Sequence, residues 1–473
     1  MSTEFPPTKS ASKPKVLIVG AGIAGLTLAI LLEKAGVPYK VYDRMTELKP
    51  LGSGMGFGAN VGPLFKQIGI YDEFVRLGKR SKSIDYYNEE RKLEHSMDFE
   101  KCTEMGGSPG YMIPRPVLHD LLFRQVPSNK IFLGKRVLYI KQRLEDGVQI
   151  QFSDNTSAEG DILVGADGAH STIRQNLYES LKSEDQLPAS DDGALPFSCI
   201  HLVGQTKPLD PTAYPELTDS RTHFVRVVGN NKPFSWGYMT VQGNIFCWSA
   251  TRYLDNESSK DDGSFQNSEW GPEAAIAMCE EVRDFPLPGG KDNKLTIGDL
   301  IDNTQLVSKV KLEEKVFDTW YSGRTVLIGD ACHKIHPASG AGATNAIQDA
   351  VALANWISVL DSTAVSKITK AFEEYKAERY PVVMKAYENG RALSKVTATD
   401  LTAKISRFIT RNLPTWLWNI MLKRMVESRP QVSFLPLVKD KGTVPPTYQP
   451  SLQKTLEIRK ARETAEEKDP LQL

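Results

Sequence analysis

The sequence predicts an α/β fold in which a Rossmann-like nucleotide-binding unit is combined with a separate antiparallel sheet. Three short apolar runs, within residues 15–44, 161–174 and 325–355, each end near glycine and are followed by a helical pattern. This arrangement is typical of buried parallel strands in βα units. Between residues 197 and 253, alternating segments rich in aromatic residues predict the antiparallel sheet. An apolar face also predicts one continuous helix over residues 61–77.

The first apolar run leads into a G-x-G-x-x-G motif made by Gly20, Gly22 and Gly25. Gly20 allows a tight turn, Gly22 lets the backbone approach a pyrophosphate, and Gly25 lets the following helix pack closely on the strand. Asp43 follows the second strand, where a carboxylate can accept hydrogen bonds from ribose hydroxyls. The motif predicts a dinucleotide site without identifying the dinucleotide. The alternative is a glycine-rich turn with no ligand.

Two aspartates stand directly after the other two apolar runs, Asp167 after the second and Asp330 after the third. Open parallel sheets bind ligands at the carboxyl ends of their strands, so both side chains are candidates for a binding site. For Asp167 the alternative is an Asx turn that caps the next helix. After Asp330, a proline- and glycine-containing loop over residues 337–342 precedes a long helix predicted from about Ala343.

The composition limits the class of protein. Lys plus Arg and Asp plus Glu both number 58, so the formal charge is zero and nucleic acid is not the expected partner. The five cysteines form no C-x-x-C pair, which predicts neither a disulfide framework nor a zinc site, and no metal is expected. Residues 1–14 carry no apolar signal core, and no apolar run approaches the length of a membrane span, so a cytoplasmic protein is expected.

Residues 410–425 combine tryptophans with basic residues in an amphipathic pattern. Such a segment could lie on a membrane surface, which would make the protein membrane-associated. Packing against the body of the protein is the favoured alternative. The sequence leaves the oligomeric state open.

Together these stretches resemble the group A FAD-dependent monooxygenases, the aromatic hydroxylase family with the p-hydroxybenzoate hydroxylase-like fold. The resemblance is carried by G-x-G-x-x-G followed by an acid and by G-A-D-G-x-x-S-x-x-R at residues 165–174. A third motif, G-D-A-x-H…P-x-x-G-x-G-x-x-x-A-x-x-D-A, covers residues 329–350. Order and spacing agree over residues 15–385, and residues 410–450 resemble fungal-type members.

The resemblance implies a division of the chain into three parts. A discontinuous Rossmann-like FAD-binding domain would comprise residues 14–180 and 300–365. An antiparallel-sheet substrate domain would span residues 181–299, with the hairpin 83–99 joining it. Residues 366–473 would form a helical C-terminal region and tail.

The resemblance also implies an FAD site. Asp43 would bind the adenosine ribose, Asp330 the ribityl chain, and Asp167 both FAD and the incoming NAD(P)H. The N–H groups and helix dipole at residues 340–343 would face the flavin N1–C2=O edge, where reduced flavin is negative. Arg115, whose alternative is a solvated surface arginine, would lie near the FAD phosphates. The residues implied to bind FAD are Gly20, Gly22, Gly25, Asp43, Arg44, Gly54, Gly56, Arg115, Asp167, Asp330, Pro337, Gly340, Gly342 and Ala343.

The family's reaction implies that NADPH or NADH reduces FAD, that O2 adds at flavin C4a, and that the hydroperoxide transfers one oxygen atom to a small molecule. The expected substrate is a fairly apolar aromatic or isoprenoid compound, which is hydroxylated or epoxidised. His201 and Tyr238, in the predicted antiparallel sheet, are the candidate catalytic side chains, with structural roles as the alternative.

Other functions are open to the same scaffold: a flavin-dependent halogenase, a prenyl reductase, or a non-catalytic Rossmann escort protein. The segment FSWGYM at residues 234–239 differs from the W-x-W-x-I-P signature of halogenases. The intact Gly-Asp and Asp-Gly motifs disfavour an escort protein that no longer binds FAD. A plain NAD dehydrogenase would leave both motifs unexplained.

Overall fold

The computed structural model describes residues 13–47, 52–143, 147–193, 195–230, 232–254, 272–396 and 414–468. The α-helices of this part of the chain are α1 (Ile23–Lys34), α2 (Gly62–Ile68), α3 (Tyr71–Leu77), α4 (Lys101–Gly106), α5 (Arg115–Phe123), α6 (Thr172–Ser183), α7 (Pro272–Val282), α8 (Ile297–Asp302), α9 (Gly342–Ser358), α10 (Val365–Val396), α11 (Thr415–Val426) and α12 (Pro450–Lys468). The single helix predicted over residues 61–77 is wrong, because Gly69 ends α2 in the left-handed conformation at φ +82°.

The strands are β1 (Val16–Val19), β2 (Tyr39–Tyr42), β3 (Gly54–Phe57), β4 (Lys79–Ser81), β5 (Ser83–Tyr87), β6 (Leu93–Asp98), β7 (Gly110–Pro114), β8 (Ile131–Phe132), β9 (Val137–Arg143), β10 (Gly147–Phe152), β11 (Ser157–Gly160), β12 (Ile162–Gly165), β13 (Phe197–Thr206), β14 (Arg221–Thr222), β15 (Phe224–Val228), β16 (Phe234–Val241), β17 (Ile245–Tyr253), β18 (Thr304–Glu313), β19 (Lys315–Val316), β20 (Tyr321–Ser322), β21 (Thr325–Leu327) and β22 (His333–Lys334).

The nucleotide-binding unit is built on a six-stranded sheet with the order β20-β21-β12-β1-β2-β8. All of its strands are parallel except β20, which pairs antiparallel with β21. β1 is buried along its whole length, as its four consecutive apolar residues require. Helix α1 is also buried over residues 23–32, because it lies between this sheet and α9. The three apolar runs that end in glycine therefore lie side by side as β1, β12 and β21.

A second, seven-stranded sheet has the order β18-β13-β17-β16-β15-β5-β6 and is antiparallel except where β15 meets β5. The hairpin β5–β6 forms one edge. The other edge is β18, which lies beyond residue 299, where the sequence expectation ended the substrate domain. One face carries an aromatic core that includes Trp236, Phe246 and Trp248 and packs against α7 and α8.

The opposite face of this sheet meets strand β3. A Cβ atom added at Gly54 would lie 2.3 Å from Sδ of Met239 and 3.4 Å from Cβ of Cys247. We call this face the β3-facing side. Because side chains alternate along a strand, it is formed by Cys199, His201, Val203, Gln205, Phe224, Arg226, Ser235, Gly237, Met239, Cys247, Ser249 and Thr251.

The C-terminal region is helical, as predicted. The Trp418 Nε1 atom of α11 donates a hydrogen bond of 3.0 Å to Asp98 O, and its ring lies 5.7 Å from that of Phe99. Trp416 on the same helix is 64% exposed. The helix therefore packs against the body of the protein, while residues 410–413 of the predicted amphipathic segment lie outside the described residues. Within the described parts of the chain, no helix is both long enough and apolar enough to span a bilayer.

The last part of the chain returns to helix α9. The Asn355 side chain is fully buried and donates from Nδ2 to Gln431 O at 3.1 Å and to Ser451 Oγ at 3.3 Å. Its Oδ1 atom accepts a hydrogen bond of 2.8 Å from Ser433 N. A single amide therefore joins α9 to the segment before α12 and to α12 itself.

Candidate active site

The glycine turn after β1 is held against the neighbouring strand. Gly20 has φ +109°, and a Cβ atom there would lie 2.3 Å from Ala166 O. A Cβ atom at Gly25 would lie 1.9 Å from Gly20 O, so both positions need glycine for packing alone. Gly22, the residue before α1, has nothing within 4 Å of the corresponding position. Of the three, Gly22 alone faces open space in which a ligand can approach the backbone.

Asp43 reaches back from the end of β2 to this turn. Its Oδ2 atom accepts a hydrogen bond of 2.6 Å from Ala21 N, and its Oδ1 atom accepts one of 2.8 Å from Met45 N. A carboxylate has about four acceptor positions, so further acceptor capacity remains for hydroxyl groups. Arg44, beside it, is exposed.

Arg115 is the first residue of α5 and lies beside Gly52 in the glycine-rich loop before β3. A Cβ atom at Gly52 would lie 2.8 Å from Arg115 Cδ. The guanidinium group is exposed, and none of the described residues forms an ion pair or a hydrogen bond with it. Helix α5 is tied to the glycine turn, since His119 Nε2 lies 2.7 Å from Ala21 O. An available cation is therefore fixed close to the open glycine turn.

The N-cap of helix α6 is Ser171, and Asp167 supplies further acceptors to the first turn of that helix without forming an Asx turn, which would bond to the backbone two residues on. Its carboxylate accepts hydrogen bonds from Ser171 Oγ, from Thr172 N at 2.7 Å and from Ile173 N at 3.3 Å. Burial raises the pKa of Asp167, and these hydrogen bonds oppose that rise. The side chain lies at the end of β12, one strand away from the glycine turn. The hydrogen bonds to α6 leave lone pairs on the Asp167 carboxylate, so its position is also compatible with the expected role in binding FAD and NAD(P)H.

The third site element begins where β21 ends. Asp330 forms an ion pair with Lys334, and the chain then passes through a short 3-10 turn at Pro337–Ser339. Gly340 has φ +61°, and neither it nor Gly342 has any atom within 4 Å of an added Cβ. Helix α9 begins at Gly342 without a side-chain cap, so its first N–H groups lack intrahelical acceptors. The N-terminus of a 17-residue helix is thus directed into open space.

A buried charge network supports this helix, and sequence reasoning gave it no role. The Asp349 carboxylate lies 2.5 Å from His333 Nε2 and 2.8 Å from Arg379 Nε, and it accepts a hydrogen bond of 3.0 Å from Gly329 N. Burial would raise the pKa of Asp349, but His333 and Arg379 lower it to about 2. The sequence does mark Asp349, which belongs to the D-A end of the third motif, but the motif does not reveal the partners of its side chain.

The two candidate catalytic residues lie on opposite faces of the seven-stranded sheet. His201 is on the β3-facing side, where Nδ1 lies 2.8 Å from Thr251 Oγ1. Tyr238 lies in the aromatic core, 3% exposed, and its hydroxyl donates a hydrogen bond of 2.9 Å to Pro288 O. The Tyr238 side chain therefore points away from Gly54. This position favours a structural role for Tyr238, the alternative that the sequence leaves open.

Comparison with known families matches residues 13–195 and 294–390 to the family model described as an FAD binding domain. The chain belongs to the group A FAD-dependent monooxygenases. Among curated relatives, the FAD-dependent monooxygenase penM of Penicillium crustosum is 30% identical over 81% of this chain and 79% of its own length. The FAD-dependent monooxygenase atmM of Aspergillus flavus is 27% identical over 90% of this chain and 88% of its own length.

Solved structures that are similar to this group A monooxygenase have the same fold. Klebsiella pneumoniae HpxO in complex with FAD and uric acid has a TM-score of 0.67 at 19% identity, covering 88% of this chain and 96% of that one. A salicylate hydroxylase substrate complex has a TM-score of 0.63 at 20% identity, covering 88% and 98%. The predicted fold class is therefore confirmed.

FAD is the cofactor of this monooxygenase, and the residues present fit it. Gly22, Gly340 and Gly342 leave open space beside the backbone where phosphates or a flat ring can lie. Arg115 supplies a cation without a protein partner among the described residues, and Asp43 supplies acceptors for hydroxyl groups. The uncapped N-terminus of α9 adds donors for a negative group.

Proposed function

We propose that this monooxygenase takes electrons from NADPH or NADH and uses O2 to insert one oxygen atom into a fairly apolar aromatic or isoprenoid small molecule. The insertion is a hydroxylation or an epoxidation. The observation that carries the proposal is the contact of Gly54 with Met239 and Cys247. This contact brings strand β3, which follows the glycine-rich loop, against the β3-facing side of the seven-stranded sheet. A substrate beside this contact would meet the cofactor on one side and side chains of that sheet on the other.

In this proposal the glycine turn and Arg115 hold the FAD pyrophosphate, and Asp43 accepts hydrogen bonds from the adenosine ribose. Asp330 binds the ribityl chain, and Asp167 lies where FAD and NAD(P)H meet. The remaining residues of the proposed FAD site are Arg44, Gly54, Gly56, Pro337, Gly340, Gly342 and Ala343. When bound, FAD supplies the electron transfer and the activation of oxygen.

The N-terminus of α9 would stabilise negative charge at the N1–C2=O edge of the flavin. Its N–H groups and the positive end of its dipole act without a proton that could be transferred. The buried charge network holds this helix in place, because it joins Asp349 of α9 to His333 of β22 and to Arg379 of α10. A cradle held in this way needs little rearrangement when the charge develops.

The β3-facing side supports an apolar substrate. Its apolar side chains include Phe224, Met239 and the buried Val203 and Cys247, and such a lining favours a ring or a prenyl chain over a sugar or a peptide. His201 is kept neutral at pH 7, since burial, together with Arg226 and His336, lowers its pKa to about 3. With so low a pKa the imidazole is a weak base, so its proposed role is to orient a substrate hydroxyl through a hydrogen bond rather than to remove its proton.

The proposal is tested with FAD-loaded protein incubated with NADPH or NADH and a panel of phenols and prenylated compounds under 18O2. The expected result is substrate-stimulated oxidation of the nicotinamide and a product that gains one labelled oxygen atom. A product that gains halogen or two hydrogens would support a halogenase or a prenyl reductase instead. Stimulated oxidation without labelled product would contradict the proposal. So would protein that retains no flavin absorbance once unbound FAD has been removed.

A further inference from the structure

The carbonyl oxygen of Ala21, inside the glycine turn after β1, is held by a side chain from a helix distant in the sequence. His119 Nε2 of α5 lies 2.7 Å from Ala21 O. A carbonyl oxygen can only accept a hydrogen bond, so Nε2 carries the proton and donates it. The imidazole is half-buried and stacks on Phe123, one turn further along α5, with the ring centroids 6.3 Å apart. The donor therefore has a fixed position.

The peptide unit that contains this carbonyl also contains the N–H group of Gly22. In a trans peptide the C=O and N–H bonds point in opposite directions within one plane. Because His119 holds the oxygen on one side, the Gly22 N–H group is directed to the other side. No described residue accepts a hydrogen bond from it, and the space around Gly22 is open, with no atom within 4 Å of an added Cβ. This donor is therefore available to a ligand.

His119 is the contact that sets the orientation of this peptide unit. Asp43 fixes the preceding unit, since its Oδ2 atom accepts a hydrogen bond of 2.6 Å from Ala21 N. The unit between Ala21 and Gly22 is freer, because glycine allows backbone conformations that other residues exclude. In the described part of the chain, His119 is the one donor bonded to Ala21 O. Without it, the Gly22 N–H group would lose a fixed direction.

Helix α5 is itself firmly anchored. Leu118, Leu121 and Leu122 are fully buried, so the helix has little freedom to move relative to the core. His119 follows Arg115 by four residues, which places both side chains on one face of α5. Arg115 is the cation proposed to lie near the FAD phosphates. The face of α5 that carries this cation thus also reaches the glycine turn.

We propose that His119 is a positioning residue for FAD, which holds Ala21 O so that the Gly22 N–H group is directed at the pyrophosphate. The inference rests on the proposed function, because it requires the pyrophosphate to lie at the glycine turn. Backbone N–H groups at the start of a helix bind phosphate oxygens well. A donor that is already oriented binds without first losing conformational freedom. His119 acts through the peptide and does not contact the cofactor.

The test titrates FAD into full-length protein freed of flavin and reads the dissociation constant from the change in flavin fluorescence. His119→Gln places an amide nitrogen where Nε2 stands, whereas the shorter side chain of His119→Asn does not reach Ala21 O. His119→Leu keeps most of the bulk without a donor. His119→Gln should stay within about threefold of wild-type affinity, and the Asn and Leu variants should bind FAD on the order of tenfold more weakly.

A double-mutant cycle separates positioning from a purely structural role. The methyl group of Gly22→Ala would keep phosphates away from the backbone, so His119→Leu should cost far less in that background than in wild-type protein. The matched control is His223→Leu, because His223 is 38% exposed and pairs with Asp219 in another part of the chain. The control should bind FAD as wild-type protein does. The unfolding temperature of each flavin-free variant checks that the fold is intact.

The inference is overturned if His119→Leu binds FAD as tightly as wild-type protein, or if His119→Gln binds it as weakly as His119→Leu. Losses that add in full in the double variant would also overturn it. Failure of the proposed site has a different signature: wild-type protein would retain no FAD, or Gly22→Ala alone would keep wild-type affinity. Weakened binding in Gly22→Ala with no effect of His119→Leu would remove only the role of His119.

Discussion

The Nε atom of Arg379 lies 2.8 Å from Oδ1 of Asp349, and their side chains are 5% and 0% exposed. Arg379 also donates hydrogen bonds from Nη2 to Asn345 Oδ1 at 2.7 Å and from Nη1 to Gln348 Oε1 at 3.3 Å. The ion pair therefore joins α10 to α9 directly beneath the loop proposed to face the flavin. Removing one member of such a buried pair leaves the other charge without compensation.

Asp349→Asn is expected to destabilise the protein by about 3–5 kcal/mol, because Arg379 and His333 then lose their shared acceptor. The free energy of unfolding in urea measures this change. Asp361→Asn is the matched control, since Asp361 is 44% exposed and pairs with Lys367 and Arg462 at the surface. A surface pair contributes at most about 1 kcal/mol. Equal losses in the two variants would contradict the structural role of the buried pair.

The stability of the protein is expected to fall on mild acidification. His201 and His336 have pKa values lowered from 6.5 to about 3 and about 4 by burial and by Arg226. Below pH 6.5 the unfolded chain therefore binds protons that the folded chain does not. Stability is fully present above pH 6.5 and is lost as the pH falls toward 4. Each histidine contributes a slope of at most about 1.4 kcal/mol per pH unit.

Urea unfolding followed from about pH 7.5 to about pH 5 measures this slope. His201→Gln removes one of the two titrating groups and should flatten the dependence on pH. Matching slopes in wild-type protein and His201→Gln would show that His201 is not held neutral by its surroundings.

Two glycines of the same motif should respond differently to alanine. Gly25→Ala places a methyl group 1.9 Å from Gly20 O and should destabilise the fold, by about 1–3 kcal/mol or more. Gly22→Ala meets nothing within 4 Å, so the apoprotein should keep its unfolding temperature while its affinity for FAD falls. Thermal unfolding and FAD titration separate the two effects. Wild-type FAD affinity in Gly22→Ala would argue against the proposed pyrophosphate site.

Arg115→Ala should weaken FAD binding by about 1.5–3 kcal/mol, the contribution of a hydrogen bond to a charged group. The fold should be unaffected, because no described residue pairs with this side chain. Arg124→Ala is the control at the other end of α5, where the guanidinium pairs with Asp120 and Glu73 at the surface. FAD titration of both variants decides the matter. A flavin content unchanged by Arg115→Ala would restore the solvated-surface interpretation.

Tyr238→Phe should leave substrate turnover unchanged. The variant loses the hydrogen bond to Pro288 O and should be less stable by about 1 kcal/mol. Product formation by the FAD-loaded variant and its unfolding free energy are the two measurements. A large loss of turnover with normal stability would return Tyr238 to the active site.

The nucleotide-binding unit was predictable because its signals are local. A four-residue apolar strand, a glycine turn and the start of a helix lie within about ten residues of one another, and each acts on the backbone conformation directly. The side on which Tyr238 lies could not be read in the same way. Alternation along β16 separates its residues into two faces, but only the packing of Met239 against Gly54 decides which face adjoins the cradle.

The charge network illustrates a second limit. Asp349, His333 and Arg379 lie on three different elements, and Arg379 is 30 residues from Asp349 in the sequence. Residues 375–381, which include Arg379, resemble the family, but that resemblance does not reveal the partners of Arg379 on α9.

The contacts of Asn355 can form only after a long further stretch of the chain has been synthesised. The partners of its amide, Gln431 and Ser451, are added to the chain 76 and 96 residues after it. On the ribosome, the Asn355 amide therefore stays paired with water until residues 431–451 have been translated and can replace it. A chain cut short before α12 would keep its glycine motifs but would lack the Ser451 hydroxyl that accepts from the buried amide of α9.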